Sequence, residues 1–214
     1  MEGAATVIAQ HGYSGTSLRE ITELCGATKG AMYFHFRSKD ELAEAVVIEV
    51  FAAWEDLITR IEDLNLDPLR TLMTCYDAYT GRLMYDVTAR AALRIVHEEI
   101  GHHHAASWSV RWEKTVEDLL NRAADRGLLR AGIDAAWLSR LLLAAATGHF
   151  QLAEGRPAGP NMWKRMDDTW AGLLPAVATP QWVAAWRDSE WGTRPEPESQ
   201  EYESPMEGLA ERPA

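Results

Sequence analysis

Apolar positions in the first sixty residues recur at helical rather than strand spacing. In "TSLREITELCG" (16–26), Leu18, Ile21 and Leu24 form one stripe, predicted to face inward. Ser17 precedes that stripe with Glu20 three residues on, the pattern of a capping box, and Gly26 can take the positive φ of a tight turn. A second short helix is predicted over 28–36, with Met32 and Phe36 on its inner side and Lys29, Gly30, Tyr33 and Phe34 outward. Ser38 and Glu41 repeat the capping pattern at the head of a long helix to about residue 60. Residues 3–10 read as a helix stopped at Gly12. Two short helices joined by a glycine turn, the second displaying cations and aromatics, have the form of a helix-turn-helix.

Helical spacing continues through the rest of the chain. Helices are predicted over 68–82, 86–99, 108–126, 134–154, from 161 to Pro175, and over 179–188, with "GHHHAAS" as a loop and "EGRPAGP" as a linker. No alternating run bounded by turn residues supports a strand. The fold class is therefore all-α: an N-terminal helix-turn-helix three-helix domain in 1–47 and a larger C-terminal helical domain in 48–190. Residues 191–214 are rich in proline and glutamate and read as a disordered acidic tail. The helix over 134–154 is apolar nearly all round, which predicts burial on both sides.

Composition changes this picture in three places. The 214 residues are 47% hydrophobic, enough to bury a substantial core. Two cysteines, Cys25 and Cys75, make no disulfide framework or metal cluster and suit a reducing cytosol. The uncharged apolar stretch 141–152 is shorter than the roughly 20 residues a membrane span needs, and the N-terminus lacks the basic region of a signal peptide. A cytoplasmic protein with no membrane partner is expected.

The formal net charge of −11 neither supports nor excludes nucleic acid, because its distribution matters more than its sum. Between residues 28 and 39 stand Lys29, Arg37 and Lys39 with no acid. A helix meant for a core would not carry these cations among Tyr33, Phe34 and His35.

The stretch "GYSGTSLREITELCGATKGAMYFHFRSKDELAEAVV" resembles the DNA-binding domain of TetR-family repressors. The resemblance lies in Gly12, Tyr13, Thr16, Ser17, Ile21, Gly26, Thr28, Lys29, Gly30, Tyr33, His35, Phe36, Lys39 and Leu42. "TKGAMYFHF", Trp112, "GLLRAGID" and "MWKRMDDTWAGLLP" are similar to the γ-butyrolactone receptor branch. Relatives in the family carry a fuller first helix with basic residues. Only its second half is legible here, so either the start codon lies elsewhere, or the chain is trimmed, or contacts that firm up the domain are missing.

The chemistry of the motif fits double-stranded operator DNA. Thr28, and Thr16 and Ser17 before the preceding helix, stand where helix N-termini can hold phosphate. Tyr33 and His35 can reach phosphate oxygens, and Lys39 adds charge. Lys29 can donate to guanine, while Gly30 and Ala31 let the backbone approach base edges. Phe34 or Ala31 can meet a thymine methyl, Phe34 being as compatible with packing on its neighbours, and Arg19 is a further contact.

A helix-turn-helix reads one half-site, so a homodimer is expected. The resemblance implies that the 134–154 helix and the last helix, through Trp182, Val183 and Trp186, form a four-helix interface. Burial within one subunit is the competing reading. The resemblance also places Trp112 in the wall of a pocket for a small hydrophobic effector; Thr147 and Gln151, polar positions on the apolar helix, are the expected partners there. Trp112 as ordinary core is the alternative. In "HEEIGHHH", position i+4 from His97 is Gly101, so no zinc-protease pair exists. No catalytic constellation is legible, and neither enzyme activity nor a cofactor is expected. The chain reads as a repressor released from its operator by a signal such as a γ-butyrolactone. Rivals are a sensor of an antibiotic or other hydrophobic compound, and a ligand-binding or interaction protein with impaired DNA binding.

Overall fold

A computed structural model describes residues 2–98, 103–155, 161–193 and 195–197. Among these residues the secondary structure is helical, with one isolated antiparallel bridge between Leu129 and Ala178. The helices are α1 (Glu2–His11), α2 (Leu18–Leu24), α3 (Lys29–His35), α4 (Lys39–Asp63), α5 (Pro68–Tyr85), α6 (Val87–Glu98), α7 (His103–Asp125), α8 (Ala135–Gly155), α9 (Met162–Val177) and α10 (Pro180–Arg187), followed by a short 3-10 turn. Helix α7 starts at His103, so His103 and His104 lie in a helix rather than the expected loop, while His102 and most of the linker and tail fall outside the described residues.

The chain divides into two compact units, Met1–Thr59 with Tyr85–Val110, and Arg60–Met84 with Arg111–Ala214. A boundary at residue 47 therefore falls inside α4, and α6 joins the N-terminal helices, which sequence order does not reveal. In the first unit Ala5, Ile8, Tyr13, Leu18, Ile21, Met32, Leu42 and Val46 close a core with Ala91, Ala92, Ile95 and Val96 of α6. Leu24 departs from expectation: it is 60% exposed. At the last position of a seven-residue helix it lies past the reach of that core, and Leu18, Ile21 and Thr22 fill the inner side of α2.

Local signals explain the boundaries. Ser17 caps α2 by accepting from the Glu20 N–H at 3.2 Å, while the Glu20 carboxylate accepts from the Ser17 N–H at 2.8 Å. Gly26, with φ of +69°, reverses the chain so that the Ala27 N–H reaches the Thr22 carbonyl at 3.1 Å. At α4, Ser38 accepts from the Glu41 N–H, but the Glu41 carboxylate turns back to the Arg37 N–H at 2.6 Å. Helix α9 runs through Pro175, two residues beyond the expected stop. Arg130 donates to the Pro175 and Ala178 carbonyls at 2.9 and 3.0 Å, satisfying the helix end from a distant segment.

The second unit is built around α5, whose Leu69, Leu72, Met73, Tyr76 and Thr80 are all buried, with Leu120, Leu138, Leu142 and Trp170. Asp67 caps α5 by accepting from the Leu69 and Arg70 N–H groups, and it also accepts from the Trp182 indole at 3.2 Å. Trp182, Val183 and Trp186 are buried within the chain, with Trp182 stacked on Trp186 at 6.3 Å. Their apolar surface is spent on the subunit's own core, so the expected use of these three in a dimer interface is withdrawn. Helix α8 is not buried on both sides either: Trp137 and Leu141 are 48% and 39% exposed, on one outward stripe with Ala144 and Leu152.

Candidate nucleic-acid interface and ligand-facing core

Helix α3 presents a continuous exposed surface. Thr28, Lys29, Gly30, Ala31, Tyr33, Phe34 and His35 are all exposed, and only Met32 anchors the helix inward. Phe34 is 84% exposed and touches the His35 ring edge-on at 5.1 Å, so the even choice between packing and outward display falls to display. The Lys29 ammonium lies 5.9 Å from the Tyr33 ring centre. No acid interrupts residues 27–39, which leaves the surface cationic in a chain that is acidic overall. Three aromatic or amphipathic rings, a cation and two residues with little or no side chain make a surface able to enter a groove and bond both phosphate and base edges.

The helix preceding it contributes less than its residue types suggest. Thr16 is buried, and its hydroxyl donates back to the Gly12 and Tyr13 carbonyls at 3.1 and 3.2 Å. Ser17 uses its hydroxyl on Glu20 at 2.6 Å, an interaction that holds the Glu20 carboxyl below the usual carboxylate range. Arg19 is exposed and pairs with Glu23 at 3.4 Å, a contact weak enough to exchange for a phosphate. Thr28 caps α3 by accepting from the Ala31 N–H at 3.2 Å.

Lys39 is drawn inward. It donates through Nζ to the Tyr13 and Thr16 carbonyls, each at 3.0 Å, with the ammonium 4.0 Å from the Tyr13 ring centre. The Tyr13 hydroxyl in turn donates to Asp40. Lys39 and Asp40 thus lock the segment entering α2: two of the three Lys39 ammonium donors and the Thr16 hydroxyl are engaged within the chain, a structural role that the sequence expectation of phosphate ligands for Lys39 and Thr16 did not include. At the same segment the Ser14 N–H donates to Glu98 of α6 at 2.6 Å.

In the second unit Trp112 is buried, stacked with Tyr79 at 6.1 Å and edge-on to Tyr76 at 5.4 Å. Tyr76 also meets Trp170 edge-on at 5.5 Å. Burial pushes both tyrosine hydroxyls far above the ordinary phenol range, so they remain protonated. Thr147 is half-buried on α8. Gln151 is exposed, on the outward side of α8, so it is removed from the expected lining. Sequence reasoning did not single out Tyr76, Tyr79 and Trp170, whose rings pack around Trp112 in this core although their helical spacing marks them only as inward.

Among the described residues no group of histidine, cysteine and carboxylate side chains could hold a metal ion, and no helix is long and apolar enough to cross a membrane.

Residues 1–46 match the model of the family described as bacterial regulatory proteins, tetR family. The chain is 34% identical over 139 residues to the HTH-type transcriptional repressor AcnR of Corynebacterium efficiens, covering 62% of this chain and 68% of that protein. It is 26% identical over 184 residues to the A-factor receptor protein of Streptomyces griseus, covering 86% of this chain and 64%, under two thirds, of that protein. In fold it is similar to a crystal structure of a gamma-butyrolactone receptor (ArpA-like protein), with a TM-score of 0.74 over 84% of this chain and 86% of that one at 23% identity.

Proposed function

This chain belongs to the tetR family of bacterial regulatory proteins, and from that premise we propose that it is a homodimeric repressor released from operator DNA by a small hydrophobic signal. The observation that carries the reading is the exposed face of α3, where Lys29, Tyr33, Phe34 and His35 surround the bare backbone of Gly30 and Ala31 with no acid between. In the major groove, Lys29 donates to guanine O6 or N7, Tyr33 and His35 hold phosphate, and Phe34 meets thymine methyls. Arg19 supplies a further phosphate contact from α2.

One such helix reads one half-site, so two copies are required. The α8 stripe of Trp137, Leu141, Ala144 and Leu152 is apolar and open in a single chain, which supports α8 as the pairing surface. The effector binds in the second unit against Trp112. Its class is a γ-butyrolactone, supported by the A-factor receptor among the relatives and by the fold of the gamma-butyrolactone receptor. Release requires the effector to favour the arrangement that cannot span both half-sites.

Binding to the DNA upstream of the chain's own gene, measured at two salt concentrations, tests the reading. Specific, salt-sensitive binding that is lost in Lys29→Ala and Tyr33→Ala supports it. Binding unaffected by both substitutions refutes it.

A further inference from the structure

Among the described residues of the first unit, the lysine and arginine side chains are engaged within the chain with one exception. Arg19 pairs with Glu23, Lys29 lies over the Tyr33 ring, and Lys39 donates to the Tyr13 and Thr16 carbonyls. Arg90 and Arg94 of α6 have partners as well. Arg37 is exposed, and its guanidinium has no ion pair, hydrogen bond or ring contact among the described residues. The acids that follow it have other work: Asp40 accepts from the Tyr13 hydroxyl, and Glu41 accepts from the Arg37 backbone N–H at 2.6 Å.

The backbone beneath this free guanidinium is fixed. The Phe36 N–H ends α3 on the Met32 carbonyl at 2.8 Å, and Phe36 is extended, with φ of −134° and ψ of 118°. Its ring packs against the core of the unit. In extended backbone the next side chain projects to the opposite side, which sends Arg37 into solvent. Ser38 then caps α4 by accepting from the Glu41 N–H at 3.0 Å, while the Glu41 carboxylate holds the Arg37 N–H. A charge on a fixed backbone loses only its own rotamer freedom on binding.

Position selects the ligand. Lys29 is the first residue of α3, and Arg37 stands two residues past its last, His35; the helix between spans about 9 Å. The N-terminal residues of a helix in the major groove meet base edges, whereas its C-terminal end meets the sugar-phosphate backbone. A guanidinium presents paired, coplanar N–H donors that match two oxygens of one phosphate.

We propose that Arg37 anchors α3 to a DNA phosphate and so sets its register in the groove, a role expected from sequence of Lys39 and Thr16. The proposal rests on the reading of α3 as the DNA-reading helix.

The test uses the full chain and an operator duplex mapped by footprinting in the DNA upstream of its own gene. Affinity is measured by fluorescence anisotropy across a salt series for the unmodified chain, Arg37→Gln and Arg37→Lys, with thermal midpoints alongside. Arg37→Gln is expected to weaken binding by at least about tenfold and to lower the salt slope by about one charge per bound chain. The ranking of single-base operator variants and the thermal midpoint should stay as they are. Arg37→Lys should keep the salt slope but recover only part of the affinity, since an ammonium cannot match the planar fork. Methylphosphonates placed singly along each strand locate the contact: one position that weakens the unmodified chain should cost Arg37→Gln nothing further. An unchanged salt slope in Arg37→Gln, an altered operator ranking, or the same methylphosphonate losses in both proteins overturns the assignment and leaves the repressor reading in place. Absence of specific binding by the unmodified chain overturns that reading, and the assignment falls with it.

Discussion

Replacing Lys39 by methionine separates the phosphate contact expected from sequence from the structural role that the fold gives the same residue. The ammonium donates to two backbone carbonyls at 3.0 Å and lies 4.0 Å from the Tyr13 ring centre. Hydrogen bonds involving a charged group contribute about 1.5–3 kcal/mol each, and a cation over a tyrosine about 0.5–2 kcal/mol. Lys39 is only half-buried, so water replaces part of what is lost, and methionine keeps the apolar stem. The expected loss is therefore about 2 kcal/mol, taken below the sum of these ranges. For a chain of this size that lowers the thermal midpoint by roughly 4–8 °C. A phosphate ligand would behave differently: its removal would leave the midpoint nearly unchanged and reduce the salt dependence of DNA binding by about one charge. The assays are thermal unfolding by circular dichroism and fluorescence anisotropy on operator DNA across a salt series. An unchanged midpoint together with a reduced salt slope would refute the structural role argued for Lys39.

Three further outcomes are expected. Gly12→Ala should destabilise the chain by about 1–2 kcal/mol, because Gly12 has φ of +80° and an added Cβ would stand 2.9 Å from a Glu98 carboxylate oxygen; unfolding in urea measures this. The His149 Nε2 contacts the Thr169 hydroxyl at 2.7 Å, and burial followed by Arg165 lowers its pKa below 6.5, with Asp168 opposing. The folded chain therefore binds that proton less readily than the unfolded one, so this stability is present above about pH 6.5 and falls as pH drops below it. His149→Gln should flatten the decline between pH 7 and 5.5, leaving the part due to His97, which burial shifts in the same direction. Leu141→Glu, on the open stripe of α8, should turn a dimer into a monomer by light scattering while leaving the helix content of each chain intact.

Much of the exposed face of α3 was legible because a short helix cannot hide its residue types. Met32 alone faces inward in α3, and the spacing from Met32 to Phe36 predicts that. Tyr33, Phe34 and His35 then have nowhere to go but out. The caps at Ser17 and Thr28 and the turn at Gly26 are equally local, since each depends on atoms within five residues. Pattern reasoning failed where a polar side chain had a choice of partners. Thr16 and Lys39 have the chemistry of phosphate ligands, yet Lys39 reaches back over twenty residues to carbonyls that no spacing rule connects to it. Leu24 failed through the opposite cause: the periodicity is sound, but the core ends before it.

The sequence by itself determined that the chain is helical, where the helix-turn-helix lies and which face of α3 is displayed. Those properties follow from hydrophobic period, capping residues and glycine positions, all short-range. Tertiary structure alone decided that α6 belongs with the N-terminal helices, that Arg130 arrives at the carbonyls ending α9, and that Trp182 and Trp186 are spent inside the subunit while Trp137 stays open. It also decided that the Tyr76 ring sits edge-on to both Trp112 and Trp170. The physical reason is common to all four: whether a polar atom is satisfied, or an apolar face covered, depends on which distant segment arrives beside it.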